Sequence, residues 1–274
     1  MSDLTTQKQV SHALHDEEAA ISSRFIQAAS VSVQDGYKRW AETYDETPNP
    51  LLALEERYLP SLLPNLVGSK VLDLACGTGR WLSPLLSRGA RAVVGIDFST
   101  AMLDVARRSR GLRDCLVLAD GFQLPFRACV FDFVLSSFAL NHFEDLPAIA
   151  QELARAMKLE GRLLLTEMHP DACARGWRPG FRDMRGSVQI KTRSRPIQQV
   201  ISSFRSNGFA FIRSHDLFFA EPERPIFLAS AKGAMFESVC HVPAIQVYEF
   251  RKVEASGQVV RFKTEEGQEK LADC

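Results

Sequence analysis

The chain has no excess of either charge: 33 Lys and Arg balance 33 Asp and Glu, for a formal net charge of zero. That balance excludes a global field drawing the protein to nucleic acid or an anionic membrane, so partner choice falls to local patches. No apolar run approaches the roughly 20 residues of a membrane-spanning helix. The opening MSDLTTQKQVSHALHDEEAA is polar and acidic where a secretory signal needs a basic start and an apolar core. These absences read as a cytoplasmic protein. The six cysteines, Cys76, Cys115, Cys129, Cys173, Cys240 and Cys274, include no C-x-x-C pair. Reduced, mostly buried thiols are therefore expected rather than a disulfide framework or a zinc site.

With 274 residues and 46% hydrophobic content, the chain can bury one generous core. From about residue 68, strand-like and helix-like segments alternate. Strands are expected at Lys70 to Ala75, Ala92 to Asp97, Cys115 to Asp120, Phe131 to Ser136 and Arg162 to Glu167, with helices near Arg80 to Ser87, Thr100 to Arg108 and Leu146 to Met157. Right-handed crossovers between such units give an α/β fold with a doubly wound, mostly parallel sheet. A helix over Ile197 to Ser206, a helical stretch within 221–240 and strands at Phe209 to Arg213 and Ala244 to Phe250 are expected to follow. Residues 1–66 read as an N-terminal helical segment, with helices around EEAAISSRFIQAA and NPLLALEERYLPSLL, and residues 253–274 as a polar tail.

The stretch VLDLACGTGRW, residues 71–81, carries a buried strand into a glycine turn before a helix. Gly77 and Gly79 let backbone N–H groups approach a ligand at a partly positive helix start. A dinucleotide turn would have a third glycine where Leu82 stands, so a pyrophosphate is disfavoured. Asp97, ending the next strand, suits the two hydroxyls of a ribose, since a carboxylate only accepts. Asp73 adds a negative group suited to an amino-acid moiety.

Five motifs in order, Asp73-x-x-x-Gly77-x-Gly79, GIDFS at 95–99, LADGFQLPF at 118–126, FDFVLSSFALNHF at 131–143 and KLEGRLLLTEMHP at 158–170, resemble a class I S-adenosylmethionine-dependent methyltransferase. More narrowly, the sequence resembles the small-molecule branch that includes the ubiquinone and menaquinone C-methylases. The resemblance implies a seven-stranded Rossmann-like methyltransferase domain over 67–252, an N-terminal helical lid, and substrate cover at 171–196 and 215–241. It implies that Ala75, Cys76, Gly77 and Gly79 line the methionine portion, with Asp73 near it. Asp97 would hold the ribose, with Phe98 and Met102 packing beside it. Asp120 would accept from the adenine amine next to Gly121 and Phe122, and Ser137, Phe138 and Ala139 would follow the sulfonium side. Tyr37, Trp40 and Tyr44, at helical spacing, would close over the cofactor, and an aromatic face favours a cation by roughly 0.5–2 kcal/mol.

Methyl transfer from a sulfonium is an in-line displacement that needs positioning and exclusion of water. A hydroxyl, amine or carbon acid as nucleophile gains from a general base, whereas a carboxylate needs none. His142, Glu167 and His169 follow strands at the carboxyl edge where open α/β sheets keep their sites, and are the candidate catalytic groups. The chemistry needs no metal, and the sequence offers no ligand cluster. Arg175, Arg178, Arg182, Arg185, Lys191, Arg193 and Arg195 surround one acid, Asp183, and guanidinium groups suit an anionic acceptor. The leading expectation is a methyltransferase acting on a small molecule at O, C or N; an anionic acceptor is one reading of the basic stretch, RNA backbone contact a second and a solvated loop a third. A wobble-uridine tRNA methyltransferase and a non-catalytic subunit that binds S-adenosylmethionine are the alternatives. Zero net charge and the lack of an RNA-binding appendage argue against nucleic acid.

Overall fold

The computed structural model describes residues 28–110, 113–230 and 232–254. The described residues open with strand β1 (Ala29–Val31) and helices α1 (Val33–Trp40) and α2 (Pro50–Leu62). Alternation follows through β2 (Lys70–Leu74), α3 (Leu82–Ser87), β3 (Ala92–Asp97), α4 (Thr100–Arg110), β4 (Leu116–Leu118), β5 (Phe131–Ser137), α5 (Leu146–Ala156) and β6 (Met157–Met168). Next come α6 (Pro170–Ala174), a hairpin of β7 (Gly180–Asp183) and β8 (Gly186–Ile190), α7 (Ile197–Arg205) and β9 (Phe209–Leu217). Helices α8 (Arg224–Ala229) and α9 (Gly233–Val239) and strand β10 (Ile245–Lys252) end the described chain. The helix expected around EEAAISSRFIQAA and the polar tail lie largely outside the described residues.

Seven strands form one sheet in the order β4-β3-β2-β5-β6-β10-β9, in which β10 runs opposite to the other six. The α/β, mostly parallel architecture expected from the sequence is the one observed. Its cause is legible in the central strands, which are apolar on both faces because helices cover both. Val71, Leu135 and Val247 pack with Leu54 of α2, Leu82 of α3 and Phe227 and Phe236 of α8 and α9. Leu72, Val134 and Leu163 pack on the other side with Ile149 of α5 and Phe204 of α7. No helix among the described residues is long and apolar enough to cross a membrane. Cys76, Cys115, Cys173 and Cys240 are free thiols, whereas Cys129 is disulfide-bonded, contrary to the expectation of thiols throughout.

The arginine-rich segment is more ordered than its composition suggests. Strands β7 and β8 pair antiparallel, and β1 joins β8 in parallel with Ala29 opposite Val188, forming a second, three-stranded sheet. Helix α1, capped by the Ser32 hydroxyl accepting from the Asp35 N–H, lies against it. Contact is close at Gly36, where a Cβ would fall 2.6 Å from Ile190 Cγ1. Trp40 stacks on Phe181 at 5.1 Å, and Arg39 pairs with Asp183 at 2.5 Å. Strand β1, helix α1 and the hairpin thus pack together as one unit.

Candidate active site

Strand β2 ends in a turn whose backbone is bent where the sequence suggested. Ala75, Gly77 and Gly79 all have positive φ, at 58°, 54° and 77°. For an alanine this is a strained choice, and it recurs at Phe138 after β5, with φ 53°. Both strained residues line one cavity at the carboxyl edge. The Gly77 N–H donates to Asp97 Oδ2 and the Ser99 N–H to Asp97 Oδ1, each at 2.8 Å, so Asp97 is fixed at the end of β3. Burial pushes its carboxyl above the ordinary range, and these N–H groups pull it back. Thr78 donates to Asp45 Oδ1 at 2.7 Å, tying the turn to the N-terminal segment.

The cavity has a volume of about 400 Å³, within the usual size range of small-molecule sites. Its wall holds Tyr37, Tyr44, Asp73, Ala75, Cys76, Gly77, Asp97, Phe98, Met102, Asp120, Phe122, Ser137, Phe138 and Ala139. Asp73 is buried, and its Oδ2 has no hydrogen-bond partner. Burial raises its pKa to about 8; Arg80 opposes the shift, and Glu55 and Asp97 add to it. Burial likewise pushes the Cys76 thiol well up, which makes it an inert wall group. Phe122 and Phe143 meet edge to face at 5.7 Å, and Asp120 Oδ1 accepts from the Phe122 N–H at 3.0 Å. Gly79 and Gly121 shape this wall without lining it. A Cβ on Gly121 would stand 3.0 Å from the Phe143 ring.

A second cavity, of about 1580 Å³, adjoins the first, and Tyr37, Tyr44, Phe138 and His142 line both. Tyr37 Oη lies 2.9 Å from His142 Nε2. Burial lowers the His142 pKa to about 4, with the Lys191 backbone working weakly the other way, so the imidazole is neutral at pH 7. Burial also raises the Tyr37 phenol, with the charges of Tyr44, Glu167 and Asp97 adding to it, and raises Tyr44 to about 12. Glu167 lines the larger cavity, where its oxygens accept from the Asn141 and Met168 N–H groups, each at 2.8 Å. Burial nevertheless brings its pKa to about 7.

Two of the expected residues stand elsewhere. Trp40 faces Phe181 and the larger cavity rather than the smaller one. His169 borders neither cavity: its Nδ1 accepts from the Asp171 N–H at 3.1 Å and caps α6, the role a residue before Pro170 readily takes. Of the basic stretch, Arg178, Arg182 and Arg185 line the larger cavity with Lys232. Arg195 instead is buried, donating to the carbonyls of Leu140, Phe143 and Glu144 and holding the loop that carries His142.

Sequence reasoning missed a buried network below the smaller cavity. Glu55 of α2 is fully buried and accepts from Ser137 Oγ at 2.9 Å, Trp81 Nε1 at 3.3 Å, Thr166 Oγ1 and Arg80. An acid inside the apolar run LLALEERYL was the available signal. Its four donors come from three separate segments, so their convergence is visible only after folding.

These residues fit S-adenosylmethionine. The smaller cavity presents an unpartnered buried carboxylate oxygen for an ammonium, a fixed carboxylate for a diol, and an aromatic corner for a base. Comparison with known proteins points to the same cofactor. Residues 72–165 match the family model described as a methyltransferase domain. A demethylmenaquinone methyltransferase of Streptomyces avermitilis is 32% identical over 191 residues, covering 68% of this chain and 77% of that protein. Another from Corynebacterium kroppenstedtii is 46% identical over 100 residues, or 36% of this chain and 42% of that one. The chain spans about half the length, or less, of several other curated relatives it matches. An S-adenosylmethionine-dependent methyltransferase from Mesorhizobium loti shares the fold, with a TM-score of 0.58 at 22% identity over 74% of this chain and 100% of that one. The chain therefore belongs to the class I S-adenosylmethionine-dependent methyltransferase family and resembles the quinone C-methylases within it.

Proposed function

We propose that the protein transfers the methyl group of S-adenosylmethionine to a small, anionic acceptor. The observation that carries this reading is the pair of adjoining cavities sharing the wall of Tyr37, Tyr44, Phe138 and His142. In it, the smaller cavity holds the cofactor and the larger the acceptor. Bound S-adenosylmethionine supplies a methyl group on a sulfonium, open to in-line displacement.

The chain's own residues do the rest. Asp97 orients the ribose, and Asp73 holds the amino group. Phe122 and Phe143 hold the adenine beside Asp120. The half-buried Tyr37 and Tyr44 restrict water, and Tyr37 fixes the neutral His142 ring through their 2.9 Å contact. Glu167, with a pKa of about 7, takes a proton from an O, N or C acid in the larger cavity. Arg178, Arg182, Arg185 and Lys232, against Glu167 as the acid in that wall, favour a carboxylate or phosphate on the acceptor.

Two measurements test this. Calorimetric titration with S-adenosylhomocysteine should give saturable binding near one site per chain. A radiolabel-transfer screen of small acids against neutral analogues of the same skeletons should give turnover biased to the acids. Absence of binding removes the cofactor assignment, and turnover of neutral acceptors alone removes the anionic one.

A further inference from the structure

A carboxyl that takes a proton from an acceptor needs a partner for its new O–H, because a buried donor left unpaired is costly. The close neighbours of Glu167 serve its ionised form instead. The Asn141 and Met168 N–H groups donate to its oxygens at 2.8 Å each, and the Arg195 charge favours the carboxylate, with burial the larger force against them. Tyr37, Cys173 and Tyr248 stand within electrostatic reach, and burial raises all three, so they are uncharged at pH 7. Across the ladder, β10 places Gln246 directly opposite Glu167, on the same face of the sheet, with Asp216 of β9 beyond it. Side chains so paired have Cβ atoms roughly 4.5–5.5 Å apart, within reach for two groups of this length. Gln246 is fully buried and lines neither cavity, so it stands behind the base rather than beside the acceptor.

One end of the Gln246 amide is already engaged. Its Nε2 donates to the carbonyls of His215 on β9 at 3.0 Å and of Val247 at 3.3 Å, whereas Oε1 is buried with no donor. A buried amide oxygen calls for a hydrogen, and the protonated Glu167 carboxyl has one to give. Two other buried nitrogens without partners lie near. His215 Nε2 belongs to the opposite face, since His215 pairs with Val247. His169 Nε2 carries a hydrogen, because Nδ1 accepts from Asp171, but it lies 3.8 Å from Asp216 Oδ1 and is not bonded to Gln246. We infer that Gln246 is the positioning residue of the base: its Oε1 accepts the hydrogen bond of the protonated Glu167, on the side away from the acceptor. One proton leaves the acceptor atom for Glu167, and the pair that held it forms the new bond to the methyl carbon. Gln246 holds that proton in place and does not take it. The inference rests on Glu167 being the base.

The first test is a crystal structure of the full chain at about pH 5.5, where Glu167 is protonated. Gln246 Oε1 should stand about 2.5–3.0 Å from a Glu167 oxygen, a contact two acceptors make only with a proton between them. A separation beyond hydrogen-bond reach, or His169 Nε2 bonded to Oε1 instead, overturns the inference without any variant. The second test is infrared difference spectroscopy against pH, in which the Glu167 carboxyl band is the one that Glu167→Gln removes. Gln246→Met keeps the length but offers no acceptor, so only the neutral acid loses a partner. The midpoint of the band should then fall by about one pH unit, a tenfold loss of proton affinity. A midpoint that stays or rises, in a variant whose thermal transition shows it folded, also overturns the inference. Turnover separates it from the reading beneath. With the best acid of the radiolabel screen, kcat of Gln246→Met should begin to rise at lower pH than that of wild type. Full turnover by Glu167→Gln removes the base, and this inference with it, even where the crystal contact is seen.

Discussion

The unpartnered carboxyl of Asp73 makes the affinity for S-adenosylhomocysteine depend on pH. In the free protein its pKa stands at about 8, chiefly because it is buried. A ligand ammonium against Oδ2 stabilises the ionised form, so binding expels the proton that Asp73 carries at lower pH. At pH 8 about half of the free protein is ionised at this position, and at pH 6 about one part in a hundred. Apparent affinity should therefore fall roughly fifty-fold from pH 8 to pH 6, about 2 kcal/mol at 1.36 kcal/mol per pKa unit. The assay is titration calorimetry at half-unit pH steps, repeated at pH 7 in two buffers of different ionisation enthalpy. Close to one proton should be released per ligand bound. Asp73→Asn should bind weakly at every pH, with the slope gone. Equal affinity at pH 6 and 8, or an Asp73→Asn protein that keeps the slope, would refute the reasoning.

Further predictions share this geometry. Without ligand, the same raised pKa stabilises the folded state fully below the unfolded value of 3.8, and that contribution is lost as pH rises through about 8. Asp73→Asn should accordingly raise the thermal midpoint of the free protein at pH 8 while abolishing tight binding. Asp97→Ala removes the anchored acceptor of two ribose hydroxyls and should weaken S-adenosylhomocysteine at least about a hundredfold, as measured by calorimetry. With an acceptor that must lose a proton, kcat should rise with pH through about 7 as Glu167 ionises. Glu167→Gln should erase that limb and cost about 10²–10⁴ in kcat. Gly36→Val forces Ile190 aside at the joint of helix α1 and the hairpin, an overpacking cost of about 1–3 kcal/mol. It should appear as weaker ligand binding, and an unchanged affinity would deny that joint its part.

The sheet was legible in the sequence because its central strands are continuous apolar runs between glycine turns and amphipathic helices. Ala92 to Asp97 is observed over its whole expected span. Strand β6 begins at Met157 rather than Arg162, since the chain turns extended as soon as α5 closes at Ala156. The glycine turn, Asp97 and Phe138 could be assigned to a site because their spacing along strand ends fixes where they lie. His169 could not, because a histidine before Pro170 serves as well as a helix cap as it does in a cavity wall. The hairpin at 180–190 escaped notice because its strands are four and five residues long and gain their burial from α1, a distant segment. Glu55 escaped for the same reason: its donors, Arg80, Trp81, Ser137 and Thr166, are 25 to 111 residues away.

The central claim is that two adjoining cavities divide cofactor from acceptor. A crystal structure of the complex with S-adenosylhomocysteine tests it most directly. The account predicts ribose hydroxyls on Asp97, the amino group on Asp73, and the sulfur facing the larger cavity past Phe138 and His142. A nucleoside seated in the larger cavity, or a sulfur turned away from it toward solvent, would contradict the account.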